Sequence, residues 1–382
     1  MHRSSDFGDF GSVTYLNAAA QGPLPKVSVD AAKCAIAWKE HPYQLKTELY
    51  LGLPDRVRSL IARLVGGSVE EVAITTGATS GLIAVAHGLN FRSGDEVLIA
   101  EDEFPGHFSA FLPLQETHGI SVKEIKARDR YLNTRDFIRE IGPRTRLVST
   151  SLVRYDDGAQ IDAQLLADSC HRAGAYLALD VSQCLGVLPV DARVLRADFL
   201  VGVGYKWLLS PFGTGLFWIR HELIDQMRPA PCYWTGIVGA EQFFLHGDRI
   251  PYLSNGIVNF SPNAKRWDSP ETASFTNLAA METSLTYLLG LNILNLRKHN
   301  QELISIVHEH FPRDRFALAS SPRAGAPFLC IAARSALETS QWHKRLTDER
   351  VFVSLRAGAL RISPHIYNTV GDIDRLLAVL CS

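Results

Sequence analysis

From residue 56 to residue 220 the chain switches repeatedly between short apolar runs and segments of helical length. The stretches "EVAITT", "DEVLIA", "TRLVSTSLV", "AYLALDV", "ADFLVGVG" and "TGLFWIR" have the length and β-branched content of strands, and "SVKEIK" is a shorter one. Around them, residues 56–65, "ATSGLIAVAHGL", residues 106–118, "TRDFIREI" and "DAQLLADSCHRAG" read as helices, the last closed by the stop signal Gly174. Strands alternating with helices demand right-handed crossovers. They therefore predict a mostly parallel sheet covered on both faces. Several runs are apolar throughout, as doubly covered strands require.

Beyond this block the pattern changes. Residues 232–269 are rich in Gly, Pro and Asn and read as loops. A long helix follows from "ETASFTNLAAMETSLTYLLG", with a break expected near Gly290. The last hundred or so residues mix "FLCIAA", "VFVSL" and "ALRIS" strands with two helices. We read a large α/β domain over 14–260 and, over 261–382, a linking helix and a smaller C-terminal α+β domain.

Charge excludes some functions. Lys+Arg total 39 against Asp+Glu 40, so no basic stripe draws in nucleic acid. The apolar runs are strand-sized, which excludes a bilayer-spanning helix, and the first residues lack the apolar stretch of a secretory signal. Six cysteines are scattered without CxxC or metal-ligand spacing, so no metal site is expected. A soluble, reduced, cytoplasmic protein is the expectation.

In open sheets of this kind, ligands bind beyond the carboxyl ends of the strands. Residues just after each strand therefore carry weight. After the first comes "TTGATSGL", where Gly77 suits a tight turn and the amides of Ala78 and Thr79 open a helix. That is a phosphate cradle or an ordinary capped turn. After the second comes "EDEFPGHF", where Phe104 either stacks on a planar ring or fills the core. Asp180 ends an apolar strand and needs a positive partner, a cationic ring nitrogen or a distant side chain. Gln183 donates to a ring hydroxyl or to the backbone. Lys206, between Tyr205 and Trp207 in "FLVGVGYKWLLSPFGTGLFWI", is either an exposed hairpin lysine or a desolvated nucleophile. Taken in order, each closing a strand, these residues describe a pyridoxal phosphate site. Lys206 forms the Schiff base and Asp180 keeps the pyridine nitrogen protonated.

The same segments resemble the class V aminotransferase group of fold-type I pyridoxal-phosphate enzymes. That group includes cysteine desulfurases, selenocysteine lyases, isopenicillin N epimerase and kynureninases. "YLNAAAQGPLP", "TTGATSGL", "EFPGH", "DVSQCLGVLPVD", "GYKWLLSPFGTGLFWIR" and "LRISPHIYNTVGDIDRLLAVL" carry the likeness in its usual order. The resemblance implies a homodimer with the site at the subunit interface and a small amino-acid substrate. It makes Lys206 the proton shuttle as well as the anchor. Ala78, Thr79 and Tyr205 then hold the phosphate, Phe104 stacks, Gln183 meets the ring hydroxyl and His107 lies near the phosphate or the sheet edge. Thr272 reaches the phosphate across the dimer or caps a helix. Arg361 takes the substrate carboxylate or is an exposed strand arginine.

Two departures matter. The cysteine desulfurases carry a nucleophilic cysteine shortly before that arginine, whereas "VSLRAGALRIS" is short and has none. This argues against persulfide-forming desulfurase chemistry. "VRYDDG" replaces the family's "SNxTG". Tyr155 there is a candidate donor or acid at the substrate, and Arg154 pairs with Asp156 or Asp157 or binds an acidic side chain. Trp234 faces the substrate or packs a domain interface. Transamination or selenocysteine-lyase-like β-elimination of an L-amino acid is the expected reaction. Epimerisation and a catalytically silent regulatory relative are the alternatives, and the absent GxGxxG disfavours a dehydrogenase.

Overall fold

The computed structural model describes residues 2–230, 232–247, 253–254, 257–271, 274–321 and 325–382. Two helices come first, α1 (Lys26–Glu40) and α2 (Thr47–Val65). The latter starts well before residue 56 despite Pro54 within it. The alternating block then supplies seven strands: β1 (Val72–Thr75), β2 (Glu96–Ala100), β3 (Ser121–Ile125), β4 (Thr145–Ser151), β5 (Tyr176–Asp180), β6 (Phe199–Val203) and β7 (Gly215–Ile219). They form one sheet in the order β1-β7-β6-β5-β4-β2-β3, in which β7 alone runs against the others. The mostly parallel α/β architecture expected from the sequence is the one observed.

Helix α3 (Ala78–Gly88) follows β1 and helix α4 (Pro105–Phe111) follows β2. The surface helix expected over 106–118 is two, because Pro113 opens a second one, Pro113–His118. The strands are buried on both sides in strict alternation. Leu98, Leu177, Leu179 and Leu200 join one core with Val57 and Ile61 of α2. Val97, Ile99, Ala178 and Val201 join the other with Leu82 and Val85 of α3. Successive side chains point to opposite faces, so both sets must be apolar. Each fully buried Val, Leu or Ile contributes about 1.5–3 kcal/mol.

A buried ion pair ties one edge of this sheet to the loop before the long helix. Arg58 of α2 donates to Asp268 through Nη1 (3.0 Å) and Nη2 (2.7 Å), and Asp268 also accepts from the amide of Ile74. Burial pulls the Arg58 guanidinium down, but Asp268 and Asp55 more than offset it, leaving it above its ordinary value.

The long helical segment breaks two residues after the expected point. Helix α5 (Phe275–Leu291) ends at Asn292, whose φ of 66° turns the chain and whose side chain accepts from the Leu294 amide to start α6 (Ile293–His310). Helix α5 packs on α1 and α2, against the large sheet. The C-terminal strands β8 (Ala317–Leu318), β9 (Leu329–Ala332), β10 (Ser354–Arg356) and β11 (Ala359–Ile362) form an antiparallel sheet in the order β8-β9-β11-β10. Leu329, Ile331, Leu360 and Ile362 share a separate core with Leu376 and Leu380. The N-terminal pair Thr14–Tyr15 runs parallel to Val351–Phe352, so residues at both ends of the sequence lie side by side. Among the described residues no helix is long and apolar enough to cross a membrane, and no group of His, Cys, Asp and Glu is spaced to hold a metal ion.

Candidate active site

A cavity of about 280 Å³ opens beyond the carboxyl ends of the strands. Its wall includes Ala78, Thr79, Phe104, Tyr155, Asp180, Gln183, Tyr205 and Lys206, eight residues singled out in the sequence. Thr76, Ser80, Ser151 and Ser182 add hydroxyls.

The β1–α3 turn supplies one end. Helix α3 starts without a side-chain cap, so its first amides are open to an anion. The Thr76 and Ser80 hydroxyls meet at 2.8 Å beside them. Gly77 has φ 165°, extended backbone that any residue adopts, so the turn does not demand glycine there. The demanding glycine is Gly106, where a Cβ would run into the Thr79 hydroxyl.

Phe104 caps α4 and is 39% exposed, which places its ring in the cavity and not in the core. That ring lies edge-to-face with Tyr155 at 5.8 Å, and its centroid is 5.4 Å from Lys206 Nζ. Lys206 itself is buried, 7% exposed, and makes no hydrogen bond or ion pair among the described residues. The hairpin reading is thereby excluded. Burial pushes the Lys206 amine down to about 8, with Arg361 and Arg356 helping and Asp180 opposing. The Lys206 backbone is clamped from below. The amide of Gly22 donates to the Tyr205 carbonyl, and a Cβ at Gly22 would collide with the Lys206 carbonyl.

Asp180 ends β5, buried, and its Oδ1 accepts from the Ser182 amide at 2.7 Å. The sequence pattern put His107 near the phosphate or the sheet edge. The structure puts it beneath Asp180, fully buried, with Nε2 3.8 Å from Asp180 Oδ2 and Nδ1 2.8 Å from the Ser149 hydroxyl. Residue 107 lies on α4, one turn in from Phe104, which aims it inward. Burial alone would raise the Asp180 carboxyl; His107, Ser182 and Lys206 outweigh it and hold it below its ordinary value. Burial alone would lower His107; Asp180 and Glu103 outweigh it and keep it above. Glu103 escaped the sequence reading. It is buried and accepts from the Thr150 hydroxyl, from the amide and hydroxyl of Ser151 and from the Phe104 amide.

Gln183 accepts from the Trp207 indole at 3.3 Å and donates to the Ala19 carbonyl at 3.2 Å, leaving one amide hydrogen for the cavity. Tyr205 stacks on Phe212 at 4.3 Å. Arg361 is not an exposed strand arginine: it is 2% exposed. It stands behind the cavity wall, donating through Nη1 to the Tyr155 carbonyl at 2.6 Å, while its Nε lacks a partner. Burial first, and Arg356 after it, bring its guanidinium down to about 10.

Other candidates resolve differently. Arg154 is buried and fully engaged by Asp156 and the Glu101 and Asp102 carbonyls, so it is neither a surface pair nor free for a substrate. Trp234 stacks on Phe244 at 5.8 Å, away from the cavity. Thr272 lies outside the described residues. No described cysteine lines the cavity. Cys330 is buried beside Arg361 in the β9–β11 register, its thiol pushed up to about 12 by burial.

The family model described as "Aminotransferase class-V" matches residues 15–316. The chain belongs to the class V aminotransferase family. An isopenicillin N epimerase of Amycolatopsis lactamdurans is 23% identical over 97% of this chain and 94% of that protein. A probable cysteine desulfurase of Methanothermobacter thermautotrophicus is 25% identical over 95% of this chain and 92% of its own length. Among solved structures, a complex of the cystine C-S lyase C-DES with its product cysteine persulfide superposes with a TM-score of 0.86 at 20% identity, covering 97% of both chains. A C-DES variant with glycine covalently linked to the PLP cofactor reaches a TM-score of 0.88 at 19% identity over the whole of both chains.

Pyridoxal 5'-phosphate is the cofactor of this class V enzyme. The residues present fit it: open helix amides and hydroxyls for a phosphate, a buried carboxylate for a cationic ring nitrogen, an aromatic face and a desolvated amine.

Proposed function

We propose that this enzyme acts on an L-amino acid by transamination or by β-elimination. The observation that carries the reading is Lys206: an unpaired, desolvated amine, the one lysine in a wall that otherwise offers hydroxyls, aromatics and Asp180. When bound, pyridoxal 5'-phosphate supplies an electron sink for the bond broken at the substrate Cα.

The chain's own residues do the rest. The α3 amides, with Thr76, Thr79 and Ser80, would hold the phosphate, and Asp180, kept ionised by His107, would hold a proton on the ring nitrogen. Phe104 supports the ring face. Lys206 Nζ would hold the cofactor through its aldehyde and would move the substrate Cα proton; an amine near 8 takes and returns protons around neutral pH. Arg361, whose Nε has no partner among the described residues, orients the substrate carboxylate. The cysteine-free cavity wall supports a lyase or transaminase over a persulfide-forming desulfurase, although desulfurases are among the relatives.

Epimerisation is the second reading. It is favoured by the near full-length match to isopenicillin N epimerases and by Tyr155, a second proton-bearing group in the wall, whose phenol burial keeps protonated. Phe212, 57% exposed yet stacked on cavity residue Tyr205, supports a second copy of the chain covering the site. The deciding experiment offers a panel of amino acids and keto acids and follows keto-acid formation, pyruvate with sulfide or selenide release, and inversion at Cα. Inversion without either other product refutes the main reading. Loss of all turnover in Lys206→Ala is expected, and retained turnover would remove Lys206 from the chemistry.

A further inference from the structure

We propose that Arg356 binds an anionic group on the substrate's side chain, so that the preferred substrates are acidic L-amino acids. The inference rests on the amino-acid reading of the cavity above.

Strands β10 and β11 form an antiparallel hairpin in which Ser354 stands opposite Arg361 and Arg356 opposite Ala359. Side chains alternate along a strand, so Ser354, Arg356, Ala359 and Arg361 share one face. That face is turned toward the cavity: Arg361 donates to the carbonyl of Tyr155, whose ring is in the wall, and its Nη2 reaches the Ser354 hydroxyl at 3.4 Å. Arg356 and Arg361 are diagonal neighbours on it, a relation that sets the residues about 7–8 Å apart and their Cβ atoms somewhat closer. One small dicarboxylate spans such a gap between two long guanidinium arms.

The hairpin fixes this geometry. Its turn is only Ala357–Gly358, both at positive φ (46° and 75°), the short form that keeps two strands in register. Arg356 therefore sits on a rigid tip. Its single hydrogen bond is local, from Nη1 to the Leu355 carbonyl, and among the described residues it has no carboxylate partner. Arg361 has none either. Two unpaired cations on one sheet face repel: Arg356 makes Arg361 harder to protonate, and both do the same to Lys206. A ligand with two negative groups relieves both: its α-carboxylate on Arg361, and a carboxylate, sulfinate or phosphonate at the far end on Arg356. A neutral amino acid relieves only one.

The test uses the cofactor-loaded enzyme and measures exchange of the Cα proton with deuterated water by NMR, a readout independent of the final product. Aspartate, glutamate and cysteine sulfinate are compared with asparagine, glutamine and alanine, in wild type, Arg356→Gln and Arg356→Lys. We expect wild type to favour the acidic set in kcat/KM. We expect Arg356→Gln to lower the acidic-to-neutral ratio roughly 10- to 100-fold, chiefly through KM, with Arg356→Lys in between. A ratio unchanged in Arg356→Gln, or a wild type that exchanges neutral amino acids equally well, overturns the assignment and leaves the amino-acid reading standing. Absence of exchange with every amino acid, while borohydride still traps the cofactor on Lys206, overturns both.

Discussion

The amine of Lys206 offers the most direct quantitative test of the site. Burial, assisted by Arg361 and Arg356, brings it from an ordinary 10.5 to about 8. At pH 7 about one molecule in eleven then carries a neutral amine, against roughly one in three thousand for an ordinary lysine. The concentration of nucleophile is thus raised some 300-fold before any gain from positioning. The assay mixes cofactor-free protein with pyridoxal 5'-phosphate between pH 6 and 10, quenches with borohydride, and follows the mass of the Lys206 peptide with time. The rate should climb about tenfold per pH unit and bend near pH 8, while exposed lysines in the same digest climb on past it. Arg361→Gln, which removes a repelling cation, should move the bend up. Asp180→Asn, which removes an attracting anion, should move it down. A bend at the same pH as the exposed lysines, or shifts of the opposite sign, would refute the claim that desolvation makes this amine a nucleophile.

Cofactor-free Lys206→Met should be more stable than wild type by about 3 kcal/mol at pH 7, from a depression of some 2.5 pH units. The unfolded chain holds that proton between about pH 8 and 10.5 while the folded one has lost it. Wild type therefore gains stability as pH rises through that window and the difference closes, which urea midpoints at pH 7 and above 10 will follow. Asp180→Asn should retain the covalent link yet lose turnover by at least ~100-fold, measured on protein with matched cofactor content. His107→Asn should let the Asp180 carboxyl rise toward its ordinary range, moving the acid limb of the rate profile to higher pH; an unmoved limb assigns His107 to packing alone. Asp268→Asn leaves Arg58 buried without its anion and should destabilise the fold by roughly 3–5 kcal/mol in urea, whereas a loss below 1 kcal/mol would show that water reaches Arg58.

Much of the seven-stranded sheet was legible because the signals are local. "AYLALDV" can be little else than a doubly covered strand, and its terminal Asp180 sits where such sheets bind ligands. The same logic found the α3 turn, Phe104 and Lys206. What escaped depended on neighbours distant in sequence. Glu103 looked like one acidic residue among several in "AEDEF". Only the placement of β4 next to β2 brings Thr150 and Ser151 to satisfy it. Arg154 looked like a surface or substrate residue because Asp156 and Asp157 follow it. Its burial comes from the Glu101 and Asp102 carbonyls, some fifty positions earlier. Gly77 read as suited to a tight turn, yet the steric constraint falls on Gly106, across from Thr79. Helix α1 left little trace, since its first and last turns carry no side-chain cap and few of its residues are buried.

Two of these misses, Glu103 and Arg154, are buried polar groups satisfied by distant parts of the chain. Asp180 and Glu103 are two buried carboxylates, and buried carboxylates need polar partners. Two devices supply them. Glu103 is saturated by hydroxyls and backbone amides from β4 and α4. Asp180 has His107, whose other nitrogen is held by Ser149, so that the ring faces the carboxylate in one orientation. Above the floor the sign reverses. Lys206 feels Arg361 and Arg356 from the β10–β11 hairpin and Asp180 from β5, and is left part-neutral. The field therefore runs across the cavity, anionic at the β5 end and cationic at the β10–β11 hairpin. Residues 14–17 pair with Val351, Phe352 and Ser363, and Gly22 a few positions on donates to the Tyr205 carbonyl, so one stretch of chain meets both the C-terminal strands and the backbone beside Lys206.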